Sequence, residues 1–207
     1  YVDDCCILGE SDELVDRLVS EIHNRHPVSM IKQEKVSGST DRVKFDLLGA
    51  DVVFSSKERY LKISMGSYVK KMLQKFDMGQ GNNLKSAPTP DFDESLLYDE
   101  NSPKQPNFSF RAAVGALQWA VTVSRPDIAA ATNCLARATS RAPTRKMAQC
   151  VRRVFRYLAG TIDEGIVYSP ENEKSFYQSL QAVADHPDNK DLESEILNHP
   201  VTTYGDA

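Results

Sequence analysis

The residues best suited to chemistry stand at the start of the chain. Tyr1-Val2-Asp3-Asp4 sets two adjacent carboxylates between the apolar runs Tyr1-Val2 and Cys5-Cys6-Ile7-Leu8. This pattern predicts a short hairpin with Asp3 and Asp4 at its tip. Magnesium takes hard oxygen ligands, usually one or two carboxylates together with substrate phosphates. A two-metal site, its ions ~3.5–4 Å apart, clamps the attacking and leaving oxygens of a phosphoryl transfer. Asp3 and Asp4 supply only part of such a clamp, because successive strand side chains diverge, and a third carboxylate from a neighbouring strand is needed. An Asp-Asp turn without chemistry fits these four residues equally well.

The second chemical feature is cationic. Lys70, Lys71 and Lys75 lie on the polar faces of a helix whose apolar stripe is Tyr68, Val69, Met72, Leu73 and Phe76. No acidic residue occurs between Ile128 and Ile162, where Arg137, Arg141, Arg145, Lys146, Arg152, Arg153 and Arg156 fall. Arg145, Arg152, Arg153 and Arg156 belong to one long helix, with 152 and 156 on one face. Lys and Arg in such arrays grip phosphates independently of base sequence; a solvated helix surface is the other reading. From Glu171 to Glu195 the charge balance reverses, which predicts a solvated, partly disordered segment. His23 and His26 have metal-like spacing but no second ligand pair nearby, and read as surface residues at a helix end.

Around these residues the chain must build a positioning frame. Its 207 residues, 41% hydrophobic, suffice for one or two domains with a real core, and its net charge of −4 argues against coating nucleic acid by overall charge. The four cysteines form no CxxC pair, which suits a reducing, intracellular compartment rather than secretion. The apolar stretch Ala112 to Val123 falls short of the ~20 residues of a membrane span, so no membrane partner is expected. The chain opens without Met in the middle of a strand-like run, as a piece of a longer polyprotein would.

Ser11 before Asp12 and Glu13 predicts a helix start, with Leu14, Val15, Leu18, Val19 and Ile22 as its apolar stripe. Val28 to Val36, Arg42 to Phe54 and Tyr60 to Ser64 read as strands, and Asn82 to Asn107 as a surface linker. Phe110 to Val123, Pro126 to Thr139 and Pro143 to Ala159 read as helices. Trp119 reads as core, and Gly160 as the C-cap of the third helix. The predicted fold class is α+β: a hairpin, a helix and antiparallel strands, then a mainly helical region.

Read in order, these segments resemble the copia-type retrotransposon reverse transcriptases. Tyr1-Val2-Asp3-Asp4 matches the family's active-site box, and Val43-Lys44-Phe45-Asp46-Leu47-Leu48-Gly49-Ala50-Asp51-Val52 its strand ending Phe-Leu-Gly-Ile-Glu-Ile. Ser67 to Met78 resembles its thumb helix, and Ala87-Pro88-Thr89-Pro90 the linker that follows. Phe110-Arg111-Ala112-Ala113-Val114-Gly115-Ala116-Leu117-Gln118-Trp119, with Ser124-Arg125-Pro126-Asp127-Ile128, is similar to its Tyr-Arg and Thr-Arg-Pro-Asp-Ile boxes. Arg156-Tyr157-Leu158-Ala159-Gly160-Thr161 and Gly165-Ile166-Val167-Tyr168 are similar to its Arg-Tyr-Leu-Lys-Gly-Thr and Gly-Leu-x-Tyr signature. Lys146-Met147 and Ala159 depart from the pattern.

The resemblance implies the end of a polymerase palm (1–64), a thumb-like helix (65–81), a linker (82–107), a helical thumb or connection (108–168), an acidic connector (169–203) and the start of an RNase H-like domain (204–207). It implies RNA-directed DNA polymerase activity in a longer protein. Asp3 and Asp4 would be ligands of two Mg2+ ions, with Mn2+ as a substitute, and Asp206 the first RNase H carboxylate. Tyr1 would lie near the primer end, and Lys70, Lys71, Lys75, Arg145, Arg152, Arg153 and Arg156 would contact primer and template. The partners would be an RNA or DNA template with primer, dNTPs and the upstream palm and fingers, in a cytoplasmic virus-like particle or the nucleus. A non-catalytic nucleic-acid-binding remnant of a decayed element is the alternative.

Overall fold

The computed structural model describes residues 7, 9–29, 31–78 and 85–186. Helix α1 (Asp12–Arg25) begins where Ser11 accepts a hydrogen bond from the Leu14 N–H, with Asp12 and Glu13 in the first turn facing the positive end of the helix dipole. None of its residues is buried.

Five strands then form one antiparallel sheet in the order β1 (Glu34–Lys35), β2 (Val43–Leu47), β3 (Ala50–Ser55), β4 (Tyr60–Ser64) and β5 (Gly165–Tyr168). Among the described residues of the segment from 28 to 36, strand pairing is confined to Glu34 and Lys35, with the Val36 N–H donating to the Arg42 carbonyl beside them, much less than its composition suggests. Arg42 to Phe54, expected as one strand, is instead two strands joined by a two-residue turn. Both turn residues, Leu48 and Gly49, have positive φ, and the Asp46 carboxylate accepts from the Gly49 N–H at 3.1 Å. Such a turn matches the right-handed twist of the flanking strands. Leu48 is an unfavourable residue there, which is why the turn is hard to see in the sequence.

The registers sort the side chains by face. Lys44, Val53, Lys62 and Val167 are successive cross-strand partners, as are Asp46, Asp51 and Ser64. Because strand side chains alternate, Phe45, Val52, Ile63 and Ile166 share the opposite, apolar face. Gly165 lies so close to β4 that a Cβ there would stand 2.3 Å from the Ile63 carbonyl oxygen. Gly165→Ala is therefore expected to cost about 2–3 kcal/mol by forcing β5 off β4. A urea unfolding midpoint equal to that of the parent chain would contradict this.

The core lies among α2 (Gly66–Lys75), α3 (Phe110–Val123), α4 (Ala129–Arg137) and α5 (Arg145–Gly160). Along α5, Met147, Val151, Val154, Phe155 and Leu158 recur at helical spacing and are fully buried. Each such side chain contributes roughly 1.5–3 kcal/mol by leaving water. Val69, Met72 and Leu73 of α2 and Phe110, Val114 and Leu117 of α3 complete the cluster. The predicted helix from Pro126 opens as a 3-10 turn, Pro126–Ile128, before α4.

Three expectations are corrected. Trp119 is 44% exposed, because the buried stripe of α3 passes through Leu117 and Ala120 and leaves 119 off it. Gly160 is the last residue of α5 rather than a left-handed cap; a Cβ there would stand 2.6 Å from Ser86 Cβ, so the glycine admits the linker. The acidic segment, expected to be solvated and partly disordered, begins with a helix, α6 (Pro170–Ala184), and from 187 onward lies outside the described residues. Ser169 caps it by accepting from the Asn172 N–H, Glu171 and Glu173 occupy the first turn, and Leu180 and Ala184 are buried. Carboxylates at a helix start stabilise it, so their number argues against disorder only when position is considered.

Candidate nucleic-acid interface

Tyr1, Asp3, Asp4 and Asp206 lie outside the described residues. Among the described residues, no group of three or more His, Cys, Asp or Glu is placed to hold a metal ion. His23 joins its Nδ1 to the Val28 backbone, just past the end of α1, and His26 is exposed. No helix of the described residues is long and apolar enough to cross a membrane.

The structure brings Arg152, Arg153 and Arg156 together, but beneath the linker. Arg153 donates to the Thr89 carbonyl (3.1 Å) and hydroxyl (3.4 Å), and the Arg156 carbonyl accepts from the Ala87 N–H. The Arg152 guanidinium lies 5.7 Å from the Phe108 ring centroid, within cation–π range. All three arginines line a cavity of about 480 Å3 with Asp91, Asp93 and Cys150. Burial, then the charge of Asp93, pushes the Cys150 thiol up to about 11, which makes it a poor nucleophile at neutral pH. Arg145 stands apart at the start of α5, its side chain exposed and its N–H donated to the Pro103 carbonyl.

The rest of the basic island also finds its counter-charges in this linker. Arg137 pairs with Glu94 at 2.7 Å, Arg141 with Glu100 at 4.0 Å, and Lys146 with Asp99. Leu97 is fully buried, and Phe92, Leu96 and Phe108 pack against the core. The segment from 85 to 108 is thus an acidic strap seated on a basic helix pair. Its signal was present in the sequence, since Asp91, Asp93, Glu94, Asp99 and Glu100 answer an acid-free window of opposite charge.

Lys70, Lys71 and Lys75 are exposed along α2. The start of that helix is held by a residue sequence reasoning missed. Met65, at the N-cap position, makes no side-chain cap; Asp51 from β3 instead accepts from the Ser67 N–H and hydroxyl, both at 2.8 Å. Lys44 lies 3.3 Å from the same carboxylate, which is 9% exposed. Burial alone would raise the Asp51 pKa, but the Ser67 hydrogen bonds and Lys44 outweigh it and hold it below the ordinary value. Lys44, Asp51, Lys62, Ser64, Ser67 and Lys70 line a cavity of about 210 Å3, with Asp163 at its wall. The one signal the sequence holds for it is a carboxylate set among the apolar residues Ala50, Val52 and Val53.

A second buried charge locks the helical region. Arg125 is 1% exposed; its Nε and Nη2 donate to the two Asp127 oxygens at 2.9 and 2.7 Å. Its remaining donors reach the Thr161 carbonyl at 2.8 Å and hydroxyl at 2.6 Å. Arg125 thus joins Asp127 at the start of the next helix to the end of α5. Burial would raise the Asp127 carboxyl, but Arg125 and a hydrogen bond from Tyr157 hold it below its ordinary value.

An α+β chain with these features is similar to the retrovirus-related Pol polyproteins of plant transposons. The Pol polyprotein from transposon TNT 1-94 of Nicotiana tabacum is 26% identical over 175 residues, covering 81% of this chain and 12% of that protein. The one from transposon RE1 of Arabidopsis thaliana is 26% identical over 209 residues, covering 98% of this chain and 13% of that protein. The chain thus spans about an eighth of the length of the curated relatives it matches. No family model and no solved structure matches it.

Proposed function

We propose that this chain is the carboxy-terminal part of a reverse transcriptase, running from the metal-binding turn of the palm through thumb and connection to the start of an RNase H domain. The observation that carries the reading is the order of sequence blocks from Tyr1 to Tyr168, in a chain whose relatives are retrotransposon Pol polyproteins. Arg125 adds support, because it joins the Arg-Pro-Asp block to Thr161 of the Leu-Ala-Gly-Thr block through one buried guanidinium. Residues that define the resemblance are thus residues that hold the fold.

In the full-length polymerase, Asp3 and Asp4 would hold magnesium. Two adjacent carboxylates fit that ion in donor type and are one carboxylate short of a complete set. Bound metal supplies charge stabilisation for the transferring phosphoryl group and lowers the pKa of the primer hydroxyl. Manganese would substitute. Tyr1 would pack near the primer end, and the exposed lysines of α2 would track backbone phosphates of an RNA or DNA template with its primer. Asp206 would begin the metal site of the RNase H. The setting is an intracellular particle or the nucleus.

The test is complementation. Joined to its upstream palm and fingers, the chain is expected to extend a primer on RNA in a magnesium-dependent way, whereas residues 1–207 alone extend none. Synthesis by the chain alone, or none by the joined protein, would contradict the assignment.

A further inference from the structure

We propose that Thr89 is the acceptor of a proline-directed protein kinase, and that its phosphate seats on the arginines of α5 beneath the strap, turning that contact into a regulated tie. The proposal is independent of the polymerase reading. The chain contains three Ser/Thr-Pro dipeptides, Thr89-Pro90, Ser102-Pro103 and Ser169-Pro170. Two of them are engaged in the fold. Ser102 is 6% exposed and its hydroxyl accepts from the Lys146 N–H, while the Ser169 hydroxyl caps α6 by accepting from the Asn172 N–H. Thr89 is exposed, in a stretch free of helix and strand. The following proline holds it in extended backbone, the form in which a kinase cleft takes its substrate.

The surroundings of the hydroxyl suit a phosphate. Arg153 Nη2 donates to Thr89 Oγ1 at 3.4 Å and its Nε to the Thr89 carbonyl at 3.1 Å. Among the described residues, no carboxylate lies within ion-pair distance of Arg152, Arg153 or Arg156, in contrast to Arg137, Arg141 and Lys146. Arg156 Nε is buried without a hydrogen-bond partner, and the Arg156 carbonyl accepts from the Ala87 N–H, two residues before Thr89. The three arginines share their cavity with Asp91 and Asp93, which leaves one positive charge unanswered there. The Asp93 carboxylate accepts from the Ser95 N–H, and Asp91 is exposed to water. In the transfer, Thr89 Oγ1 bonds to the γ-phosphorus of ATP, the bond to the ADP oxygen breaks, and the hydroxyl proton passes to the kinase's base. The product carries about −1.5 to −2 charge at pH 7 and, opposite arginines, makes roughly one to three charge-assisted hydrogen bonds. A guanidinium can hold two phosphate oxygens in parallel, and that of Arg153 already reaches the oxygen that carries the phosphate.

The experiment has two arms. In the first, the 207-residue chain is incubated with magnesium ATP and a cyclin-dependent kinase or, separately, a mitogen-activated kinase, and the phosphate is located by fragmentation mass spectrometry. Phosphate is expected on Thr89 ahead of Ser102 and Ser169, and its incorporation is expected to be lost in Thr89→Val. Preference for Ser102 or Ser169, or no transfer by either kinase, would overturn the acceptor assignment. In the second arm, phosphothreonine is encoded genetically at position 89 and its second ionisation is followed by phosphorus NMR. The midpoint is expected about one unit below that of the free peptide spanning 86–94, because nearby cations favour the dianion. Arg153→Gln/Arg156→Gln in the same chain should return it to the peptide value, whereas Arg25→Gln, which removes one charge from α1, should leave it depressed. A midpoint equal to the peptide's, or the same return in Arg25→Gln, would overturn the arginine seat. Circular dichroism verifies that each variant folds. If the double variant does not, Arg153→Gln alone decides: loss of half the shift or more is expected, and an undiminished shift would overturn the seat.

Discussion

Asp3→Asn, introduced into the proposed full-length polymerase, is expected to lower single-nucleotide incorporation by on the order of 10^3, about 4 kcal/mol of transition-state stabilisation. The substitution keeps the size and shape of the side chain and removes its charge. Magnesium requires anionic hard oxygens, and an amide oxygen is a weak replacement. Asp4→Asn is expected to cost less, because the resemblance favours Asp3 as the carboxylate that would serve both ions. Incorporation would be measured under single-turnover conditions with saturating duplex, so that loss of binding is separated from loss of chemistry. Undiminished incorporation would favour the non-catalytic nucleic-acid-binding remnant.

Arg125→Met is expected to destabilise the fold by about 3 kcal/mol, the lower end of the range for stripping one member from a buried ion pair. The lower end applies because Asp127 is 35% exposed and water can solvate it once its partner is gone. Arg125→Lys should rescue little, since an ammonium cannot reproduce two parallel bonds to Asp127 together with those to Thr161. The depressed Asp127 pKa fixes the pH dependence. A carboxylate held below its ordinary value of 3.8 contributes stability that is complete above that pH. It is lost as pH falls through the lower folded value. Parent and variant stabilities should therefore differ most near neutrality and converge in acid. Urea unfolding at several pH values measures both effects; a loss under ~1 kcal/mol at pH 7 would show that packing around Arg125, not its charge, holds the corner.

Helical elements with a single apolar stripe were legible from the sequence because periodicity reports burial directly. The α2 stripe was read correctly, since Val69, Met72 and Leu73 are buried along it. Failures came where partners are distant in sequence. Trp119 sits among apolar neighbours yet faces outward, since only the rotation of α3 against α2 and α5 decides which side is buried. The α5 arginines looked available because their linker partners lie some 60 residues away, as with Thr89 and Arg153. Asp51 was hidden for the same reason, its helix beginning on the far side of another strand. The proposed metal turn lies outside the described residues, and its reading rests on residue type and resemblance alone.

The antiparallel contact between β4 and β5 constrains how this protein is made. On a growing chain, β4 is complete once Ser64 has emerged, but its outer edge stays unpaired until Gly165 to Tyr168 follow, with the four helices α2 to α5 in between. An open strand edge is a template for pairing with another chain. Ribosomal pausing or premature termination anywhere between these points leaves that edge exposed. Full-length synthesis is thus the step that protects the protein from aggregation.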